Sequence, residues 1–151
     1  MARWSSIFAC AASAGSLFVL ASCGANVSDR NIKVVSLEQV RTYHVRQLAD
    51  ERASILVMID PRASHDYQAG HIPGARNIHL PDFKRGEPRD PEIEAFAHIV
   101  VYGQHPGDYF APGVTKRLLE LGYKGVVFFA GGLDEWARLY NVETSEQSPC
   151  P

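Results

Sequence analysis

The chain has 151 residues, of which 46% are hydrophobic and 21% are charged, and its formal net charge at pH 7 is -2. This length and composition fit one globular domain with its own core and exclude the fibrous and disordered classes. The slight excess of acidic residues gives no electrostatic basis for nucleic-acid binding, so we expect no nucleic-acid partner.

Residues 1–22 have the features of a secretory signal peptide. Arg3 supplies a positive charge near the start, and the segment from Ile7 to Ala21 is apolar and rich in small residues. A bilayer is spanned by about 18 or more apolar residues, so this shorter segment favours a cleaved signal over a membrane anchor.

The end of this segment, Leu20-Ala21-Ser22-Cys23, resembles the lipobox of bacterial lipoproteins. The resemblance implies a lipid on Cys23, which would anchor the protein to a membrane of the bacterial cell envelope, facing the periplasm or the exterior. Gly24 stands where Asp disfavours release to the outer membrane, so the outer membrane is favoured in a Gram-negative host. Ordinary signal cleavage nearby and an uncleaved anchor are the alternatives. Residues 23–31 are expected to form a tether.

Beyond the tether, short apolar strands alternate with segments of helical spacing. The predicted strands are Ile32–Val35, Ile55–Ile59, Ile99–Tyr102 and Val126–Phe129. A capping box at Ser36 and Gln39 predicts the first helix, and later helices are predicted at Ser64–Ala69, Val114–Leu121 and Leu133–Leu139. The alternation predicts an α/β fold, a three-layer α/β/α sandwich with a mostly parallel central sheet.

The sequence also predicts where this domain begins and ends. The domain is expected to cover residues 32–140, and the polar residues 141–151 are expected to form a flexible C-terminal tail. Within the domain, Ser64 is expected to cap its helix and Gly70 to end it.

Two motifs of this domain are similar to those of the rhodanese family. The first runs from Ile59-Asp60-Pro61-Arg62 to Gly70-His71-Ile72-Pro73-Gly74-Ala75. The second combines Leu118, Gly122-Tyr123, Gly131-Gly132 and Trp136 in that order. The resemblance extends from about Val34 to Tyr140 and implies a rhodanese-like domain.

Most of the matching residues are expected to support the fold. We expect Gly70 and Gly74 to adopt backbone angles that other residues resist, Pro73 to fix a turn, and Gly131-Gly132 to turn the chain. The remaining motif residues are polar or aromatic. Here His71 is expected to be a hydrogen-bonded scaffold residue, Asp60 and Arg62 to orient loops at the strand ends, and Trp136 to pack in the core.

The resemblance implies that the reaction site follows the strand Ile99–Tyr102. Active rhodaneses place a cysteine there, and its thiolate holds the transferred sulfur in a loop of backbone N–H donors. This chain has Gly103 at that position, followed by the loop Gln104, His105, Pro106, Gly107, Asp108 and Tyr109. Asp108 would add negative charge beside a pocket that otherwise favours anions.

The sequence therefore predicts a membrane-anchored rhodanese-like protein without its nucleophile, without a cofactor, and with an unidentified protein or small-molecule partner. Whether it is an enzyme stays open but leans to no, because Cys150 or a partner thiol is an alternative nucleophile for a thiosulfate-type sulfurtransferase. We expect no metal site, since only a convergence of His71, His79 and His105 would supply one.

Overall fold

The computed structural model describes residues 27–145. The predicted signal peptide (residues 1–22), the lipidation site Cys23 and the tail thiol Cys150 lie outside the described residues. Within the predicted tether, Asp29–Asn31 form one 3-10 turn, and Asp29 pairs with Lys116 of the domain. Between residues 27 and 145, no helix is both long and apolar enough to cross a membrane.

A five-stranded sheet forms the centre of the domain. Its strands are β1 (Val34–Val35), β2 (Leu56–Asp60), β3 (Arg76–Asn77), β4 (His98–Tyr102) and β5 (Val126–Phe129). The strand order is β1-β5-β4-β2-β3, and every neighbouring pair is parallel. The carboxyl ends of β2, β4 and β5 therefore meet at one edge, where open α/β sheets form their sites.

Helices cover both faces of the sheet. They are α1 (Leu37–Ala49), α2 (Ser64–Ala69), α3 (Pro91–Glu94), α4 (Phe110–Glu120) and α5 (Gly132–Ala137). Strand β4 shows why two helical layers are needed, because its side chains alternate between two buried clusters. Val100 and Tyr102 pack with Trp136 on one face, whereas Ile99 and Val101 pack with residues of α4 on the other. The predicted α/β sandwich is confirmed, and its described sheet is wholly parallel.

Helix α4 begins four residues earlier than the sequence predicts, at Phe110 instead of Val114. Pro112 lies in its first turn, where proline is tolerated because its missing N–H would have no helical partner. The loop that follows β4 is consequently limited to residues 103–109.

The predicted bounds of α2 (Ser64–Ala69) and its end at Gly70 are confirmed, whereas the predicted capping role of Ser64 is wrong. Ala63 is the N-cap residue of this helix, and the Ser64 hydroxyl instead donates to Oδ1 of Asn77 at 3.1 Å. Gly70 ends the helix with φ of 169°, an extended angle that any residue adopts. The expectation of a special backbone angle at Gly70 is therefore wrong, whereas Gly74 has φ of +77° and meets it.

The first residues of the predicted flexible tail are docked on the domain. Nε1 of Trp136 donates to the carbonyl of Asn141 at 3.0 Å. Glu143 and His71 exchange two backbone hydrogen bonds of 2.9 Å, and the Glu143 carboxylate accepts from N–H of Gly74 at 3.2 Å. Residues 141–145 therefore belong to the folded unit, which composition did not reveal because backbone groups make most of these contacts.

Candidate functional site

Gly103 is the first residue beyond β4 and is buried against the start of α5. Its carbonyl accepts a hydrogen bond from N–H of Leu133, and the carbonyl of Gln104 accepts one from N–H of Asp134, both at 2.9 Å. This close approach requires glycine at Gly132, where φ is +64° and a Cβ would lie 2.5 Å from the Gly103 carbonyl oxygen. The second glycine of the Gly131-Gly132 pair thus lets α5 fix the loop.

The side chain of Asp108 occupies the space in front of Gly103. A Cβ placed on Gly103 would lie 2.6 Å from both Cγ and Oδ2 of Asp108. The carboxylate is held there by two backbone donors, because Oδ2 accepts from N–H of Gln104 at 2.9 Å and Oδ1 accepts from N–H of Phe110 at 2.8 Å. An internal anion therefore fills the place that the family resemblance assigns to a thiolate side chain.

Asp108 also stabilises the start of α4. The N-cap residue of this helix is Tyr109, and Asp108, just before it, accepts from the first N–H of the helix, where a negative charge is favourable. By joining Gln104 at the beginning of the loop to Phe110 at its end, the same side chain closes the loop on itself. The sequence placed a negative charge near this pocket, but it gave no signal that the charge would turn inward.

Arg62 connects the end of β2 to the same loop. Its guanidinium pairs with the buried carboxylate of Asp60 at 2.7 Å and donates to the carbonyl of Gly70 and to Oε1 of Gln104, both at 2.6 Å. Gln104 in turn donates from Nε2 to the Asp134 carboxylate at 2.6 Å. The guanidinium is thus engaged by protein acceptors on several sides, and its charge is offset by Asp60.

Tyr102, at the end of β4, was missed as a member of this network. Its hydroxyl accepts from N–H of Ile72 at 3.1 Å and lies beside the Asp60 carboxylate. Burial, with Asp60 nearby, raises the pKa of Tyr102 well above its ordinary value, so the hydroxyl stays neutral. Its position at the end of an apolar strand resembles a simple core residue, which is why sequence reasoning gave it no polar role.

The motif histidine His71 is fixed within the scaffold. Its Nδ1 lies 2.8 Å from the carbonyl of Tyr67, which can only accept, so Nδ1 carries the proton. The ring stacks on that of Tyr67 with centroids 3.8 Å apart. His79 instead contacts the carbonyl of Arg62, with Nε2 at 3.1 Å. Among residues 27–145, no three His, Cys, Asp or Glu side chains are grouped to hold a metal ion.

Trp136 and Pro73, two other motif residues, contact helix α1. Trp136 is almost fully buried, with its ring edge-on to His44. The carbonyl of Pro73 contacts Nε2 of His44 at 3.1 Å, which attaches α1 to the motif loop. These contacts shape the fold and do not reach the 103–109 loop.

A cavity of about 850 Å³ opens beside the loop at the carboxyl edge of the sheet. Arg62, His79, Gln104 and Asp108 contribute polar groups to its lining. Its apolar walls come from Pro61, Leu80, Pro81, Tyr109, Phe110 and Val114. This volume suits a small organic ligand, so the site has room to bind even though Gly103 offers no reacting group.

The parallel sheet with a loop and cavity at the end of its central strand defines an α/β domain of the kind that binds ligands at the strand ends. The Rhodanese-like domain family matches residues 43–139, which is more than half of the chain. The protein belongs to the rhodanese-like domain family.

Individual relatives agree with this assignment. The adenylyltransferase and sulfurtransferase uba4 of Ogataea parapolymorpha is 30% identical over 102 residues, covering 68% of this chain. The match covers 25% of that relative, so the chain spans about a quarter of its length. The structure of the human single domain sulfurtransferase TSTD1 aligns with a TM-score of 0.54 at 29% identity, over 72% of this chain and 97% of that chain.

A further solved structure shows the fold alone. A protein from Bacillus halodurans aligns with a TM-score of 0.58 at 18% identity, covering 77% of this chain and 80% of that chain. The fold is thus shared with proteins of low sequence identity, and function has to be argued from the site of this chain.

Proposed function

We propose that this protein is a rhodanese-like binding or regulatory module that does not transfer sulfur. The observation that carries the proposal is the pairing of Gly103 with Asp108, because the strand end offers no nucleophile and an internal carboxylate fills the space before it. Sulfur transfer needs a sulfur nucleophile to hold the sulfane sulfur, and no cysteine lies between Gly24 and Pro149.

The charge at the site supports the same conclusion. In a rhodanese cradle, the loop N–H groups and the helix N-terminus stabilise a thiolate or persulfide anion. Here N–H groups of Gln104 and Phe110 already donate to Asp108. An anionic substrate such as thiosulfate would meet a fixed carboxylate instead of free donors, and like charges at short range repel.

The proposal includes the envelope location that the first residues predict. A lipid on Cys23 would hold the domain at a membrane surface through a tether, since one or more acyl chains supply the anchoring free energy. Replacing Cys23 by Ser should abolish metabolic labelling with radioactive palmitate. Labelling that persists in this variant contradicts lipidation at Cys23.

The sulfur-transfer activity is tested on the full-length chain purified in detergent, with thiosulfate as donor and cyanide as acceptor. We expect no thiocyanate above the rate of the uncatalysed mixture. Turnover in the wild-type protein contradicts the proposal. A matched Cys150→Ser variant then identifies the source, because loss of turnover in that variant assigns the reaction to Cys150.

A further inference from the structure

The cavity beside the 103–109 loop combines exposed aromatic walls with carboxylates. Leu80, Tyr109 and Phe110 line it with exposed fractions of 39%, 91% and 72%, so that three large side chains are exposed together at one site, as in binding surfaces. The faces of aromatic rings carry partial negative charge and attract cations. The walls therefore suit a ligand that has both an apolar surface and a positive centre.

The charged groups that line the cavity favour the same ligand class. Arg62 is neutralised by its buried ion pair with Asp60, with the two charged groups 2.7 Å apart. Asp66 and Asp108 both line the cavity as carboxylates, and Oδ1 of Asp66 lies 3.1 Å from Nε2 of the exposed His65. The remaining basic side chain in the lining, His79, lies with Nδ1 3.7 Å from the Asp82 carboxylate. The lining thus carries an excess of negative charge.

Two backbone donors that could serve an anion at this site are already used within the protein. N–H groups of Gln104 and Phe110 point at the Asp108 carboxylate, as described above. The first turn of α4 also contains Pro112, which has no N–H to offer. An anion at this helix N-terminus would therefore lack the Phe110 donor and would face the Asp108 carboxylate.

We propose that this cavity binds a small organic cation, an ammonium joined to an apolar or aromatic group. The ammonium lies near Asp108, and the apolar group packs against Tyr109 and Phe110. This inference rests on the proposed non-catalytic role and names the ligand class of the same site. This preference for a cation is opposite to the preference for anions that is expected of a cradle for thiolates and thiosulfate.

The test compares three probes of similar size that differ in charge. Phenethylammonium, phenethyl alcohol and phenylacetate are titrated into the full-length chain in detergent, with calorimetry as the readout. We expect saturable binding of phenethylammonium at least fivefold tighter than that of phenethyl alcohol, and weaker binding of phenylacetate than of either. This comparison needs no variant, so it does not depend on how any substitution affects folding.

A matched pair of variants then locates the cation. Asp108→Asn keeps the size of the side chain, and it should weaken phenethylammonium about fivefold while leaving phenethyl alcohol unchanged. Asp50→Asn, at the exposed end of α1 and outside the cavity lining, should alter neither affinity.

Four results would overturn the inference. They are equal affinity for the ammonium and the alcohol, tighter binding of phenylacetate, no saturable ammonium binding, and an Asp108→Asn variant that binds the ammonium as the wild type does. None of these results bears on the sulfur-transfer assay, which tests the non-catalytic role separately.

Discussion

The exclusion of a side chain at Gly103 by Asp108 can be measured as a coupling energy. A Cβ on Gly103 would lie 2.6 Å from Cγ and Oδ2 of Asp108 and 2.8 Å from its Cβ. Forcing such atoms apart in a packed region costs about 1–3 kcal/mol. Without this contact, alanine should stabilise the fold by about 0.4–1 kcal/mol, because Gly103 is not among the positive-φ glycines of residues 27–145.

The experiment is a double-mutant cycle of Gly103→Ala and Asp108→Gly, followed by urea unfolding. Asp108→Gly alone removes two hydrogen bonds to backbone N–H groups and should cost about 2 kcal/mol. Gly103→Ala should destabilise the wild type but be neutral or stabilising beside Asp108→Gly, which gives a coupling energy of about 2 kcal/mol or more.

A second glycine provides the control for this cycle. Gly113 lies in α4, and a Cβ placed there would meet nothing within 4 Å. Gly113→Ala should therefore change the free energy of unfolding equally with and without Asp108→Gly. If Gly103→Ala and Asp108→Gly are additive within about 0.5 kcal/mol, the steric reasoning is refuted.

Three further predictions concern Gly103, Arg62 and His44. On a Cys150→Ser background, Gly103→Cys alone should form little persulfide with thiosulfate, whereas Gly103→Cys combined with Asp108→Gly should form more. Mass spectrometry measures the two yields, and equal yields would contradict the steric block by Asp108. Arg62→Met should lower the free energy of unfolding by about 3–5 kcal/mol, because it leaves the Asp60 carboxylate buried without its partner. A loss below about 1 kcal/mol would contradict this role of the ion pair. Burial chiefly lowers the pKa of His44 below its ordinary value of 6.5, with Arg41 acting in the same direction and the Pro73 hydrogen bond opposing it. The folded state then binds fewer protons, so stability should fall as pH drops below about 6.5, and His44→Gln should reduce this slope in urea unfolding at several pH values.

The sheet was predictable because the sequences of its three longest strands are almost continuously apolar. β2, β4 and β5 are buried on both faces, so every position from Val126 to Phe129 is apolar, and the alternating helices then require a parallel arrangement. The capping box at Ser36 and Gln39 likewise marked the start of α1, and both of its hydrogen bonds are present.

Features set by tertiary contacts were less predictable. In α1, Val45 and Leu48 have helical spacing but are 46% and 60% exposed, while His44 is buried and bonded to Pro73. Burial of a polar side chain depends on a partner 29 positions away, which local periodicity does not reveal.

In the candidate site, too, side-chain directions set by tertiary contacts could not be predicted from the sequence. The family resemblance located Gly103 and its loop, but the direction of the Asp108 side chain depends on which backbone N–H groups the folded loop presents. The docking of Glu143 beside His71 likewise depends on backbone groups, which are the same for every residue type.

We expect that this chain does not hold sulfane sulfur. The most direct measurement is intact mass spectrometry of the full-length protein after incubation with thiosulfate. The mass of the protein should be unchanged. A stable gain of one sulfur atom per chain, at Cys150 or elsewhere, would contradict it.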